Sequence, residues 1–272
     1  MPGNTNTNPI LSVIVANYNS AQFLRECLDS ILTQTYTNLE IVISDDASTD
    51  SSRDIIKEYE EKYPESVRAI FSSRNRGVAA ARHEAILHAE GDYITTLDSD
   101  DYYCNNRKLE KEIEITNDFK KKTGRDILAF SNILLVREEK GETTTRVWGN
   151  SDNIKEGFIF ADILSRSCMI PRDFILKRSA YFEVGGYDLS IPIYEDWDLK
   201  LRLARHYAFH YTGINGTAYR KHGGGLSSAA VPEHNKWLNH IFDKHIPLTE
   251  GSERDIISQK FQEFLTRLNS NR

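Results

Sequence analysis

The chain has 272 residues, 39% of them hydrophobic, enough to bury a real core in one large α/β domain or two small ones. A formal charge of -6, from 40 acidic against 34 basic residues, with no Lys/Arg block interleaved with aromatics, argues against nucleic acid as a partner. Cys27, Cys104 and Cys168 are an odd number without a CxxC pair, which excludes a disulfide framework or cysteine metal site as the organising feature and fits a reducing cytoplasm.

The polar opening MPGNTNTNP is expected to be a disordered leader over residues 1–9, without the basic and apolar regions of a signal peptide. No apolar run reaches the roughly 18 residues of a membrane span, so a soluble protein is expected. Leu11 to Ala16 is a nearly continuous β-branched run, suited to a strand buried on both faces of a parallel sheet. From Ser20 onward, Phe23, Cys27 and Ile31, flanked by Leu24, Leu28 and Leu32, recur every four residues and predict a helix. A strand over Leu39 to Ser44 leads through Asp45 and Asp46 into a helix carrying Ile55, Ile56 and Tyr59 and stopped by Pro64. Val67 to Phe71 reads as a third strand, Val78 to Ala89 as an Ala-rich helix closed by Gly91, and Tyr93 to Leu97 as a fourth strand ending in DSDD.

Alternating β and α units of this length predict a Rossmann-like, doubly wound α/β sheet. Ligands bind such sheets beyond the carboxyl ends of the strands, where Asn17 to Asn19, Asp45 to Asp46 and Asp98 to Asp101 all fall. The second half is less regular. It holds a helix over Arg107 to Thr123, a strand near Ile127 to Val136, a polar loop from Glu138 to Asn153, a helix from Glu195 carrying Trp197, Leu199, Leu201, Leu203 and Ala204, and a strand over Phe209 to Thr212. Two amphipathic stretches, Glu233 to Lys244 and Glu253 to Leu268, are joined by a turn and suit dimerisation, membrane-surface contact or capping equally.

The ordered segments SVIVANYN, QTYTNLEIVISDDASTD, NRGVAAAR, GDYITTLDSDD, GGYD and YEDWDLKLRLA resemble, over about residues 10 to 222, the family 2 nucleotide-sugar glycosyltransferases of GT-A fold. The resemblance implies a mixed sheet with a donor-binding half (10–104), an acceptor-side half of the same domain (105–228) and a helical extension (229–272). It also implies a metal-dependent, inverting transfer of a sugar from a nucleotide-sugar donor to a hydroxyl of a saccharide or lipid-linked saccharide. Breaking an anomeric bond to a diphosphate requires charge neutralisation on the leaving group and a base for the incoming proton.

Asp98, Ser99 and Asp100 form a D-x-D at a strand end, and Mn2+ or Mg2+ prefers such carboxylate oxygen to soft ligands. An Asp-rich turn bonding its own backbone is the simpler account, but three carboxylates in four residues repel one another unless a cation intervenes. By the resemblance, Asp100 ligates the metal directly, Asp98 lies nearer the ribose or a metal-bound water, Asp101 faces the sugar, and Asp46 with Ala16, Asn17 and Tyr18 lines the base pocket. A carboxylate accepting from a ring N–H suits uracil, thymine or guanine, so UDP is favoured without being fixed. Arg74, Arg76 and Arg82 are candidates to approach the donor, with Arg76 preferred, against the ordinary reading of solvated arginines.

His222, in YRKHGGGLSS, matches a family histidine near the metal, and Gly223 to Gly225 suggest a flap, although a surface loop would look the same. In YEDWD, Asp196 is assigned as general base with Glu195 beside it orienting the acceptor or supporting the loop; first-turn carboxylates that merely complement the helix dipole are the alternative. The cysteines, Tyr63, Trp148 and Trp197 read as packing residues. A nucleotidyltransferase or a dinucleotide oxidoreductase needs glycine in the first strand-helix turn, and ANYNSAQF has none. A non-catalytic glycan- or nucleotide-binding protein on the same fold would betray itself by a missing carboxylate, and none is missing. The expected location is the cytoplasm, or peripherally the inner face of the membrane.

Overall fold

A computed structural model of the chain describes residues 9–139, 142–148, 154–222 and 230–270. The leader 1–8 and the glycines 223–225 lie outside them. The first half alternates as its sequence dictates: β1 (Leu11–Asn17), α1 (Ala21–Leu32), β2 (Leu39–Asp45), α2 (Ser52–Lys62), β3 (Val67–Phe71), α3 (Val78–His88) and β4 (Tyr93–Asp98). Then follow β5 (Tyr102–Tyr103), α4 (Lys108–Thr123), β6 (Leu128–Glu139), β7 (Glu142–Trp148), α5 (Phe160–Leu164), β8 (Leu176–Lys177), α6 (Arg178–Glu183), α7 (Glu195–Ala204), β9 (Phe209–Lys221), α8 (Val231–His245) and α9 (Gly251–Ser270).

Two sheets result. The first has the order β3-β2-β1-β4-β8, parallel except for β8, which runs antiparallel to β4. Every residue of β1 is buried, as a central strand covered on both faces requires. One face carries α1 and α2 through Leu24, Leu28, Ile31, Ile55 and Ile56, and the other carries α3 and the second half of the chain. The second sheet has the order β5-β9-β6-β7, with β6 and β9 parallel.

The polar segment 138–153 is not wholly a loop. Residues 142–148 form β7, which pairs antiparallel with β6 from Glu139↔Glu142 to Ile133↔Trp148. Three consecutive threonines followed by Arg146, Val147 and Trp148 favour a pleated edge whatever their polarity, since β-branched side chains suit extended backbone. Residues 149–153 lie outside the described residues. The strand expected over Phe209 to Thr212 continues to Lys221, past Gly213 and Gly216. At Gly216 a Cβ would lie 2.7 Å from Ser131 Cβ, so this glycine marks an irregularity in the β6–β9 register where the strands pack closely, instead of a strand end.

Helices α8 and α9 bring Leu238, Ile241, Phe242, Ile257, Phe261 and Leu265 into the same apolar cluster as Trp197 of α7. Phe261 is fully buried, stacked 4.0 Å from Phe242 and 6.1 Å from Trp197. Phe261→Ala is therefore expected to cost about 3–5 kcal/mol, the usual penalty for emptying a buried aromatic site. Urea unfolding checks this, and a cost below about 1 kcal/mol would mean that α9 adds little to the core. Among the described residues, no helix is long and apolar enough to cross a membrane.

Candidate functional site

Register brings the three strand ends together: Asn17 of β1 pairs with Asp45 of β2, and Ala16 pairs with Asp98 of β4. Asp45 is fully buried and structural. It accepts from Asn17 Nδ2 (2.9 Å), Arg53 Nε (2.7 Å) and the Ser48 N–H (3.1 Å). Asp46, also buried, accepts the backbone N–H groups of Arg76 (2.9 Å to each oxygen) and Gly77 (2.7 Å), so it fastens the loop leading into α3. Gly77 has φ +89°, which suits glycine alone. Two carboxylate oxygens holding three short N–H contacts retain acceptor capacity for one more donor. Beside them Ala16 and Asn17 are buried and Tyr18 is 49% exposed. The Arg76 guanidinium, 37% exposed, lies 3.3 Å from both Ser72 Oγ and Glu84 Oε2 and is loosely held.

The acidic turn after β4 comes together as a cluster. Asp98, Asp100 and Asp101 each place a carboxylate oxygen within 4.8 Å of the others, while Ser99 is buried among them. The counter-charge such a cluster demands is supplied in part from within the protein. Asp98 is paired with Arg82 and, at 2.8 Å, with Arg172 Nε, and Arg172 also reaches Asp101. Burial would raise the Asp98 carboxyl, but Arg172 and Arg82 hold it below the ordinary range. Burial pushes Asp101 up against the pull of Arg172. Asp101 also accepts the Arg220 N–H at 2.9 Å. Asp100 differs: it is partly exposed, and its Oδ2 lies 2.9 Å from His222 Nε2. Oxygen donors with one imidazole form a set that fits a hard divalent cation.

Across the cleft, α7 starts after Tyr194, which has φ +66°, and is anchored by Trp197, whose buried ring donates from Nε1 to the Ile163 carbonyl at 2.9 Å. Its three acidic residues have three different environments. Asp198 is fully buried among Arg202, Lys244 and His245, held well below the carboxylate range although burial opposes this, and it ties α7 to α8. Glu195 is buried against Arg82 Nη1 at 2.5 Å, so Arg82 joins Glu195 to Asp98 and locks α7 onto the acidic turn. Burial raises Glu195 overall despite that arginine. Asp196 keeps 25% of its side chain exposed and lies 2.6 Å from Lys200 Nζ. Burial alone would raise it, but the Lys200 ammonium brings its pKa down to about 2, so it is ionised throughout the neutral range.

The structure thus gathers Asp98, Ser99, Asp100, Asp101, His222, Glu195 and Asp196 around Arg82 and Arg172, and places Ala16, Asn17, Tyr18, Asp46 and Arg76 at the neighbouring strand ends. Sequence reasoning missed Arg172 and Lys200. Lys200 had a readable signal, since it stands one helical turn after Asp196. Arg172 had none: it meets Asp98 and Asp101 from an irregular segment some seventy residues away. Buried Arg82 was only one of three exposed-looking arginines in its segment.

The mixed α/β fold, with an acidic turn after β4 facing the carboxylate-led start of α7, is of GT-A type. Residues 12–123 match the model of glycosyl transferase family 2. An uncharacterized glycosyltransferase of Rickettsia felis is 27% identical over 94% of this chain and 41% of its own length. This chain spans about two fifths of the length of that and other curated relatives it matches. Among solved structures, S. aureus TarS in complex with UDP-GlcNAc superposes with TM-score 0.69 at 22% identity, covering 96% of this chain and 72% of that one. The mannosyltransferase PcManGT from Pyrobaculum calidifontis, in complex with GDP-Man and Mn2+, gives 0.67 at 19% identity, covering 94% and 70%. These two likenesses establish the fold.

Proposed function

We propose that this chain is an inverting glycosyltransferase that moves a sugar from a nucleoside-diphosphate sugar, UDP-linked by preference, to a hydroxyl of a saccharide or lipid-linked saccharide in the cytoplasm. The observation that carries this reading is the meeting of the Asp98–Asp101 turn with the Asp196 end of α7 across the Arg82–Glu195 bridge, at the carboxyl ends of the parallel strands. Residues 10–104 form the donor half and 105–228 the acceptor half.

In this reading Asp46 accepts a hydrogen bond from the base, with Tyr18 against the ring and Ala16 and Asn17 lining the pocket. Asp100, helped by Asp98 and His222, would hold Mn2+ or Mg2+, which when bound supplies positive charge for the departing diphosphate. The acceptor oxygen forms its bond to the anomeric carbon opposite the leaving group, the bond from that carbon to the diphosphate oxygen breaks, and the hydroxyl proton passes to Asp196. The nucleoside diphosphate leaves with the bonding pair, and the anomeric configuration inverts. Glu195 keeps Arg82, and through it the start of α7, in register with Asp98.

The test is isothermal titration with UDP, GDP, dTDP and CMP in the presence of Mn2+, for the native chain and for Asp46→Ala. UDP should bind best, and the variant should lose about tenfold or more, the scale of a hydrogen bond to a charged acceptor. Equal UDP affinity in the variant would end the base-reading role of Asp46, and no binding by any of the four would end the donor assignment.

A further inference from the structure

The arginines around the site divide in an informative way. Arg82, Arg172, Arg202 and Arg220 each lie on at least one carboxylate. Arg166 does not. It follows α5 and lodges its guanidinium between α7 and α9, with its central carbon 5.0 Å from the Trp197 ring centre, 5.1 Å from Phe264 and 5.7 Å from Tyr194. Among the described residues no carboxylate lies within ion-pair distance of it and no side-chain hydrogen bond engages it, and its Nε is buried without an acceptor. Burial lowers its pKa, with Tyr194 and Asp196 pulling the other way.

The backbone adds an independent observation. Arg166 has φ +58°, the left-handed position that closes a helix and that glycine fills without strain. An arginine is thus held in a glycine-type conformation, where its aromatic surroundings recover only part of the cost of desolvating a charge. The guanidinium fork is pre-organised for bidentate recognition of carboxylate or phosphate.

We propose that Arg166 is an oxyanion-binding residue of the acceptor subsite, and that the acceptor carries a negatively charged group, a phosphate or a carboxylate, near the hydroxyl that is glycosylated. The donor diphosphate belongs at the ends of β1, β2 and β4, whereas Arg166 lies against Tyr194 and Trp197 at the start of α7, the helix that carries Asp196. An acceptor anion seated there lies beside the proposed base. The aromatic faces of Trp197, Phe264 and Tyr194 fix the fork without neutralising it. This assignment rests on the glycosyl-transfer reading only for the word acceptor; the anion site stands on geometry alone.

The experiment titrates the native chain, Arg166→Gly and Arg166→Lys by calorimetry with glycerol 1-phosphate, glucuronate, uncharged glycerol and UDP. Glycine suits the backbone at this position, so folding is retained, and a melting curve verifies it. One or both anions should bind the native chain while glycerol does not, and the stronger of the two identifies the group as phosphate or carboxylate. Arg166→Gly should lose about tenfold or more in affinity for that anion and Arg166→Lys less, with UDP affinity unchanged. Anion affinity equal in the native chain and Arg166→Gly, or none in the native chain, would reduce Arg166 to a packing residue and overturn the proposal. An equal loss for UDP would move Arg166 to the donor side and overturn it too. If the anion binds through Arg166 but no nucleotide sugar is ever a donor, the glycosyl-transfer reading fails and the anion site survives.

Discussion

Asp196→Asn is expected to lower glycosyl transfer by about 10² or more while leaving donor affinity near that of the native chain. The asparagine keeps size and a polar first helical turn but takes no proton at neutral pH. Donor affinity should hold because Asp46 and the acidic turn stand on other strand ends. Asp196 is the one acidic residue in the first turn of α7 without a buried counter-charge on every side: Glu195 is committed to Arg82, and Asp198 to Arg202, Lys244 and His245. Its partner is Lys200, whose Nζ also donates to the Ile170 carbonyl at 2.7 Å. Because Lys200 depresses Asp196 to a pKa of about 2, the carboxylate is ionised above that value and no acid limb of the transfer rate between pH 5 and 8 should come from it. The sign for stability follows. A depressed carboxylate stabilises the fold above its unfolded pKa, near 3.9, and that contribution is lost as pH falls toward 2. Single-turnover kinetics with a UDP-sugar and an accepted hydroxyl would read the loss. Near-normal turnover in Asp196→Asn removes Asp196 from the mechanism, and a retained anomeric configuration removes single displacement altogether.

What the sequence made legible follows from how local the determining interactions are. The run Leu11 to Ala16 and the four-residue stripe from Phe23 are set by periodicity, so β1 and α1 appear within a residue or two of their expected limits. The same holds for β3 and for α4, which a left-handed Gly124 closes. The short strands β5 and β8, two residues each, have no period to read. The extension of β9 depends on its pairing with β6 past the register irregularity at Gly216, which only the folded chain creates. The site shows the same division. The acidic turn and the start of α7 were visible as motifs, yet the arginine that couples them gave no local sign of its role, since Arg82 meets Glu195 across more than a hundred residues. Asp46 was legible as a strand-end carboxylate, but its hold on the Arg76 and Gly77 amides, thirty residues on, was not.

Chelation of divalent cations is expected to abolish transfer, added Mn2+ to restore it, and Asp100→Ala to leave the chain folded but inactive at any Mn2+ concentration. The three carboxylates of the turn are not equivalent. Asp98 and Asp101 are held by Arg172, and Asp101 also fixes the start of Arg220. Truncating either removes one of the two carboxylates that hold Arg172, which is expected to destabilise the fold and confounds loss of activity with loss of structure. Asp100 is partly exposed, and its side chain meets His222 at the surface of the cleft, so its truncation should change stability by only about 0.5 kcal/mol. That difference separates two explanations of an inactive variant. If the turn serves only to bind arginines, Asp101→Ala destabilises and inactivates, whereas Asp100→Ala does neither. If it holds a cation, Asp100→Ala inactivates at native stability, and the Mn2+-dependent rise in melting temperature seen with UDP disappears from the variant. His222→Ala should weaken the Mn2+ requirement's apparent affinity in the same assay without abolishing it, because one imidazole among several oxygen donors is a partial contributor. Full transfer by the native chain in excess EDTA, or by Asp100→Ala, would leave the acidic turn as a structural anchor for Arg82 and Arg172.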